Sequence, residues 1–150
     1  MSLLQKLHEL NFCHGDVKLE NIVVGHDDPG EIFLLDFGLS TPLFEPNGLH
    51  VEKKQLNRFC GNYVFASLGT CRGYNKSRKD DIESAFYVLI YLLNQKQLPW
   101  RGLEAQFTGA NSFQKSLKER LRKKYTLKLF PMIPQELQGV LREVLCLNFD

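Results

Sequence analysis

The sequence predicts a mainly α-helical fold that carries one or more short β-hairpins. Two stretches have helical character: leucines recur at helical spacing over residues 3 to 11, and residues 85 to 93 are apolar on every side. Two short β-branched and apolar runs, Ile22 to Val24 and Ile32 to Leu35, are separated by the turn-forming sequence GHDDPGE. Helices therefore dominate the expected fold, and the hairpin is its clearest β element.

Length and charge exclude several classes of protein. The chain has 150 residues, the size of one domain with a substantial core. Its 19 Lys and Arg against 17 Asp and Glu give a net charge of +2, too small to predict a general nucleic-acid or membrane binder. The longest apolar run is too short to span a bilayer, and no signal peptide is recognised. We expect a soluble monomer of the cytoplasm or nucleus that binds neither nucleic acid nor membrane.

The cysteine pattern agrees with a reducing compartment. Four cysteines are widely separated in the sequence and form no CxxC pair: Cys13, Cys60, Cys71 and Cys146. This spacing predicts neither a zinc site nor the dense disulfide framework of a small secreted domain.

The first half of the chain is predicted to be a helix, a hairpin and a long irregular segment. The helix covers residues 3 to 11, with Ser2 as its cap and one buried face. The hairpin would bring Asn21 and Asp36 to neighbouring strand ends. Residues 39 to 75 are rich in Gly and Pro and lack periodicity, so we expect a mostly irregular segment of functional importance.

The second half is predicted to contain three helices. The central core helix begins near Ser77 and is expected to be buried on every side, with Asp80 interpreted as a surface charge that the helix dipole stabilises. Trp100 is expected to anchor the turn that follows. A basic helix then presents an apolar face of Phe113, Leu117, Leu121 and Tyr125. A last helix starts at Pro134, and its apolar stripe comprises Leu137, Val140, Leu141, Val144 and Leu145.

The most informative stretch is HGDVKLEN at residues 14 to 21, with DFG at residues 36 to 38. Asp16 offers a carboxylate, Lys18 a cation and Asn21 an amide oxygen, which are the groups that handle a phosphate and its metal ion. The pattern DxKxxN occurs by chance in roughly 2% of chains of this length, and DFG after an apolar strand adds a second factor of similar size. These residues therefore indicate phosphoryl transfer.

Together with three further blocks, these motifs resemble the C-terminal lobe of a eukaryotic protein kinase of the casein kinase 1 group. GNYVFAS, SRKDDIES and LPWRGL, at residues 61–67, 77–84 and 98–103, are similar to the group's GTARYAS, SRRDDLES and LPWQGL. The resemblance implies a protein kinase-like fold with the large, C-terminal lobe only. Residues 1–150 would be a partial catalytic domain, running from the helix before the catalytic loop, through the activation segment, to the helix before the last helix of that lobe.

The resemblance implies a serine/threonine protein kinase that uses ATP and Mg²⁺ to phosphorylate protein substrates. Asp16 would orient the substrate hydroxyl and accept its proton, and Lys18 would steady the transferring phosphate. Asn21 and Asp36 would hold magnesium and, with Lys18, form the cofactor site. Structural support for the loop would come from His14, Phe37, Gly38 and Asp81.

Two departures from the family pattern affect regulation and substrate choice. Gly15 replaces the Arg of the catalytic loop, so pairing of that Arg with a loop phosphate is not available. Val64 replaces the Arg that helps the group recognise phosphorylated substrates. Arg101 and Lys115 remain as a candidate anion site for substrates with acidic or phosphorylated residues near the acceptor.

Two alternatives to this function remain open. Thirteen residues precede His14, so the chain contains no Gly-rich loop, VAIK lysine or partner Glu, and we expect it to bind ATP weakly and transfer phosphate poorly or not at all on its own. A non-catalytic binding or scaffold module is favoured by this absence and disfavoured by the retained Asp16, Lys18, Asn21 and Asp36. A vaccinia-related kinase branch is favoured by Gly15 and disfavoured by Phe37, because those kinases often carry DYG.

Overall fold

The computed structural model describes residues 3–56, 58–101, 117, 119 and 127–149. Within these residues the chain forms α-helices and two small antiparallel sheets, as the sequence predicts. The chain divides into two compact units, one of Met1–Val88 with Leu147–Asp150 and the other of Leu89–Cys146. Each unit is described separately below.

The first unit begins with helix α1, Leu3–Glu9. The helix ends because Asn11 adopts a left-handed backbone, with φ of 66°, a common way for a helix to stop. The predicted helix is present, but the prediction of a buried face is wrong, since no residue of α1 is buried and Leu10 is 70% exposed.

Two two-stranded sheets follow. Strands β2, Ile22–Val24, and β3, Ile32–Leu34, pair antiparallel with Ile22 opposite Leu34, which confirms the predicted hairpin. The other sheet joins β1, Phe12–Cys13, to β4, Thr41–Pro42. This second sheet ties the start of the irregular segment to Phe12 and Cys13, which directly precede the HGD sequence at residues 14–16.

The remainder of the irregular segment contains one short helix, α2, Leu68–Cys71. Ser67 caps this helix, because its Oγ accepts a hydrogen bond of 3.0 Å from the backbone N–H of Thr70. Phe65 and Ala66, which precede the cap, are buried. The end of the irregular segment is therefore fixed in the first unit.

Helix α3, Arg78–Leu93, is the longest helix of the described residues. Asp80 in its first turn accepts hydrogen bonds from the backbone N–H and the hydroxyl of Ser77, at 2.8 and 2.9 Å, as in a capping box. Ile90 is fully buried, but Leu92 and Leu93 are 50% and 49% exposed. The prediction that this helix is buried on every side is therefore wrong at its C-terminal end.

The second unit contains the C-terminal part of α3 and helix α4, Gln135–Cys146, preceded by a 3₁₀ helix at Leu127–Met132. Trp100 is fully buried, so its predicted role as an anchor is confirmed. The predicted last helix is present, with Leu141 and Val144 as its buried residues. Apart from Leu117, the residues that define the predicted basic helix lie outside the described residues.

All four cysteines lie in the described part of the chain, and none of them forms a disulfide. Across the same part of the chain, no helix has both the length and the apolar character needed to cross a bilayer.

Candidate active site

The HGD loop, residues 14–16, is anchored to the N-terminal part of α3 by one buried carboxylate. Asp81 is 1% exposed. Its Oδ2 accepts hydrogen bonds from the backbone N–H of His14 at 2.7 Å and from His8 Nε2 at 2.9 Å. Its Oδ1 accepts a bond of 2.8 Å from the backbone N–H of Gly15. Three donors thus converge on Asp81 and fix the path of the loop.

His14 connects this loop to the residues before DFG. The ring is fully buried, and its Nδ1 accepts a hydrogen bond of 3.2 Å from the backbone N–H of Asp16. Nε2 must then carry the proton, which it donates to the carbonyl of Leu35 at 3.0 Å. The ring centroid of Phe37 lies 5.2 Å away. With both nitrogens engaged by the backbone, His14 positions the loop.

Asp16 and Lys18 form the charged centre of the site. Asp16 is 8% exposed, and its Oδ2 accepts a hydrogen bond of 2.5 Å from Lys18 Nζ. Its other oxygen, Oδ1, is buried and has no hydrogen-bond partner among the residues that the structure describes. The hydrogen bond to Asp16 raises the pKa of Lys18, and the negative charges of Asp16 and Asp36 add to this effect. Lys18 is therefore a cation at neutral pH, and Asp16 presents one free acceptor.

Asn21 and Asp36 lie next to the paired strand ends at the open end of the hairpin. The side-chain Nδ2 of Asn21 donates to the backbone carbonyl of Asp16 at 3.0 Å. The backbone carbonyl of Asn21 accepts a bond of 2.8 Å from the N–H of Leu35, so Asp36 directly follows the residue that pairs with Asn21. Asp36 has a left-handed backbone, with φ of 61°, and its Oδ1 accepts from the N–H of Gly38 at 3.1 Å. The two predicted metal ligands thus lie at neighbouring strand ends.

The donor set fits magnesium bound together with phosphates. Asp36 offers carboxylate oxygens to a metal ion. Asn21 offers its amide oxygen, because its amide nitrogen already donates a hydrogen bond to the backbone carbonyl of Asp16. In the described part of the chain no three His, Cys, Asp or Glu side chains cluster as a metal site. Mg²⁺ usually binds one or two protein oxygens and completes its shell with water and substrate phosphates. A carboxylate oxygen and an amide oxygen are therefore suitable protein ligands for a Mg²⁺ ion that also binds phosphate oxygens.

Comparison with known proteins identifies the family. The protein kinase domain family matches the whole chain, residues 1–150. The chain belongs to the protein kinase family. It is 41% identical over 109 residues to Casein kinase 1-like protein HD16 of Oryza sativa subsp. japonica, and this match covers 69% of the chain and 15% of that protein. It is 37% identical over 100 residues to a probable casein kinase I homolog of Encephalitozoon cuniculi, with 67% and 30% covered.

These similarities place the kinase in the casein kinase 1 family, which confirms the resemblance of its motifs. The chain spans less than a third of the length of either relative, since the matched parts are 15% and 30% of those proteins.

The kinase loop contains a contact that the sequence did not predict. Gly15 has a left-handed backbone, with φ of +78°, and its carbonyl accepts a hydrogen bond from Lys76 Nζ. A Cβ at Gly15 would lie 2.5 Å from the carbonyl oxygen of Leu39 and 2.9 Å from Cδ of Lys76. The space beside position 15 is thus closed by Lys76, which comes 61 residues later, and no local pattern could have indicated the pair.

The burial of Asp80 contradicts a second expectation from the sequence. It is 6% exposed, so it is not the surface charge that we expected. Besides its bonds to Ser77, it accepts a hydrogen bond from the hydroxyl of Ser67, the cap of α2. The carboxylate therefore joins the start of α3 to the end of the irregular segment.

Glu83 makes a similar connection and was not singled out from the sequence. It is fully buried, and its Oε1 accepts hydrogen bonds from the backbone N–H of Leu68 at 2.6 Å and from the hydroxyl of Tyr87 at 2.7 Å. The spacing of Glu83 and Tyr87, one helical turn apart, was the available signal.

The candidate anion site of this kinase stays a prediction. Arg101 is exposed, its Nη1 donates to the carbonyl of Lys96 at 2.5 Å, and its guanidinium lies 5.2 Å from the ring centroid of Tyr91. Lys115 lies outside the described residues.

Proposed function

We propose that this chain provides the catalytic loop and metal ligands of a serine/threonine protein kinase, which transfers the γ-phosphate of ATP to Ser and Thr hydroxyls of proteins. The observation that carries the proposal is the carboxylate of Asp16. One of its oxygens is held by Lys18, while the other is buried and unpartnered among the described residues. Residues 1–150 would then form the large lobe of a kinase domain.

The open oxygen of Asp16 would accept the hydrogen bond of the substrate hydroxyl. This contact aligns the hydroxyl oxygen with the phosphorus atom and gives its proton an acceptor as the new bond forms. Lys18, protonated and bound to the same carboxylate, brings positive charge to the place where the transferring phosphoryl group gathers negative charge. Asp81 contributes indirectly, because it fixes the backbone that carries Asp16.

Asn21 and Asp36 would hold the magnesium of the nucleotide. When bound, the ion neutralises charge on the phosphates and orients them. Asn21 Oδ1 and the carboxylate of Asp36 are the protein oxygens available for it. Asn21 also donates to the backbone of Asp16, so the same side chain would tie the metal site to the hydroxyl site.

Manganese provides a test that does not need turnover, because Mn²⁺ accepts the same oxygen ligands and broadens nearby NMR signals. We expect Mn²⁺ with ATP to broaden the backbone amide signals of Asn21 and Asp36 in the 150-residue chain. Mg²⁺ with ATP serves as the control, because Mg²⁺ is diamagnetic and does not broaden these signals. The Asp36→Asn variant should lose the broadening, because a carboxylate ligand is replaced by a neutral amide. Equal broadening in Asp36→Asn, or none in the folded wild-type chain, would contradict the proposed site.

A non-catalytic binding module is the second candidate, and one observation favours it. The hairpin exposes apolar side chains, among them Val24 at 66%, Ile32 at 52% and Phe33 at 47%. Exposed apolar patches often mark interaction sites. In that case Mn²⁺ with ATP would leave the signals of Asn21 and Asp36 unchanged.

A further inference from the structure

The peptide unit that joins Gly15 to Asp16 is held at both ends. Its carbonyl accepts a hydrogen bond from Lys76 Nζ. Its N–H donates to His14 Nδ1 at 3.2 Å. The carbonyl and the N–H of a trans peptide lie in one plane and point in opposite directions. The two contacts lie on opposite sides of the peptide unit and therefore oppose its rotation.

Gly15 makes such a restraint necessary. Glycine has no Cβ, so the backbone around it can adopt several conformations at little cost. The φ of Gly15 is +78°, in the left-handed region that other residues rarely adopt. The conformation of the HGD loop at this point is therefore set by contacts with other segments more than by the residue itself.

Lys76 reaches the HGD loop from the residues where α3 begins. It directly precedes Ser77, whose N–H and hydroxyl donate to Asp80. The next residue, Asp81, accepts a hydrogen bond of 2.8 Å from the N–H of Gly15. Lys76 and Asp81 thus bind the two backbone polar groups of Gly15 from one short stretch of the chain.

The side chain of Lys76 is well placed to hold the carbonyl. Lys76 is half-buried, and its Cδ would lie 2.9 Å from a Cβ placed on Gly15. Its ammonium group forms no ion pair with a carboxylate of the described residues. A charged donor makes a stronger hydrogen bond than a neutral one. The stem of Lys76 therefore occupies the space beside Gly15, and its charge strengthens the bond to the carbonyl.

The carboxylate of Asp16 depends on the orientation of this peptide. The N–Cα bond of Asp16 starts at the peptide nitrogen, so rotation of the peptide moves the side chain. On its C-terminal side Asp16 is already held, because its carbonyl accepts a hydrogen bond of 3.0 Å from Asn21 Nδ2. Misplacement of a reacting group by about 1 Å can reduce a rate about 10²-fold. The restraint on the N-terminal side of Asp16 therefore matters for the position of its open oxygen, Oδ1.

We propose that Lys76 is a positioning residue for Asp16. Its hydrogen bond to the Gly15 carbonyl keeps the Gly15–Asp16 peptide in one orientation, which holds Oδ1 of Asp16 where it would receive the substrate hydroxyl. The inference rests on the proposed function, because that function assigns the hydroxyl to Asp16. Lys76 acts through the backbone, and the carboxylate makes the contact with the hydroxyl.

Residual dipolar couplings of the 150-residue chain test this role, because they report the orientations of single bonds. The N–H coupling of Asp16 reports the peptide plane, and its Cα–Hα coupling reports the frame from which the side chain leaves. Lys76→Met removes the ammonium group and keeps an unbranched apolar stem. We expect both couplings to shift from their wild-type values in Lys76→Met, because the peptide can then rotate. Lys76→Arg should keep the wild-type values, because it retains a charged donor.

Lys79→Met is the matched control. Lys79 also lies in the first turn of α3, and its Nζ also donates to a backbone carbonyl, that of Leu147 at 2.6 Å. This variant should leave both couplings of Asp16 unchanged. Circular dichroism shows whether each variant folds. If Lys76→Met does not fold, Lys76→Gln replaces it, because the glutamine side chain ends one bond short of the lysine nitrogen.

Three results would overturn the inference: unchanged couplings in a folded Lys76→Met or Lys76→Gln chain, an equal shift in Lys79→Met, or an equal shift in Lys76→Arg. Broadening by Mn²⁺ with ATP at Asn21 and Asp36 is measured on the same samples. Its absence in the wild-type chain, with the couplings shifted only in Lys76→Met, would reject the kinase function and leave the restraint by Lys76 standing. Its presence with unchanged couplings would reject the restraint and leave the kinase function standing.

Discussion

Asp81 shows how much of the site depends on single residues. One buried carboxylate receives the backbone N–H groups of His14 and Gly15 and the ring of His8. All of these contacts lie within the chain itself. They nevertheless set the position of Asp16, because the anchored residues immediately precede it.

Replacing Asp81 by Asn should therefore destabilise the fold. In this variant an amide nitrogen would replace one acceptor oxygen and would face hydrogen-bond donors. The negative charge that strengthens the remaining hydrogen bonds would also be lost. We expect the free energy of unfolding to fall by about 3 kcal/mol, measured by urea denaturation. Asp27→Asn, an exposed change of the same chemistry in the hairpin turn, should change it by less than about 0.5 kcal/mol. Equal stability of the two variants would show that Asp81 does not anchor the loop.

The Gly15–Lys76 contact predicts coupling between two distant substitutions. Gly15→Arg should lower stability by about 1–3 kcal/mol, because it places a side chain at positive φ and against both the Leu39 carbonyl and Lys76. Lys76→Ala should make the same substitution less damaging, since it removes one of the two clashes. Denaturation of the four chains of this cycle would measure a coupling of at least about 0.5 kcal/mol. Additive effects would mean that Lys76 does not occupy the space beside Gly15.

At the residue scale the sequence singled out four chemical groups of the candidate site and one of their supports, Asp81. Asp16, Lys18, Asn21 and Asp36 were singled out because their spacing is a local pattern. Lys76 was missed, because its contact with Gly15 joins residues that lie far apart in the sequence.

At the scale of secondary-structure elements, the predictions succeeded where the sequence pattern of the element was long enough to recognise. The hairpin has two short β-branched and apolar runs separated by turn residues, and α1 and α4 have helical spacing. Strands β1 and β4 have two residues each, and α2 has four residues, so each covers about one period and none is long enough to show a repeat. The sequence overestimated the burial of α3, because a continuous apolar run does not show which side of a helix faces the core. Leu92 and Leu93 are exposed in the structure.

Helix α2 offers a prediction at this scale, since Ser67 both caps it and donates to Asp80. Ser67→Ala removes the cap and leaves one acceptor of a buried carboxylate without its donor. We expect a loss of about 2 kcal/mol and faster hydrogen exchange at the amides of Thr70 and Cys71 than elsewhere in the chain. Unchanged exchange at these amides would show that the serine does not hold the helix.

At the scale of the whole molecule, motif similarity predicted the family, and the match over residues 1–150 confirms it. Composition alone could not do this, because a net charge of +2 and four separated cysteines fit many intracellular proteins.

Stability of the molecule should decline at alkaline pH. Burial raises the pKa of the Cys13 thiol above 9.0, and burial together with the charge of Glu83 raises that of Tyr87 well above 10.0. Above about pH 9 the unfolded chain therefore binds fewer protons than the folded chain, and the free energy of unfolding falls as pH rises. Urea denaturation between pH 8 and 11 would measure the slope, which Tyr87→Phe should reduce. An unchanged slope in that variant would rule out Tyr87 as its source.

The contact between Lys76 and the Gly15 carbonyl also constrains how this protein can evolve. In a chain with glycine at position 15 and lysine at position 76, replacement of the glycine by arginine is more costly than in a chain without the lysine. If the lysine is replaced first, one of the two clashes is already absent. The cost of each substitution therefore depends on which of the two occurs first.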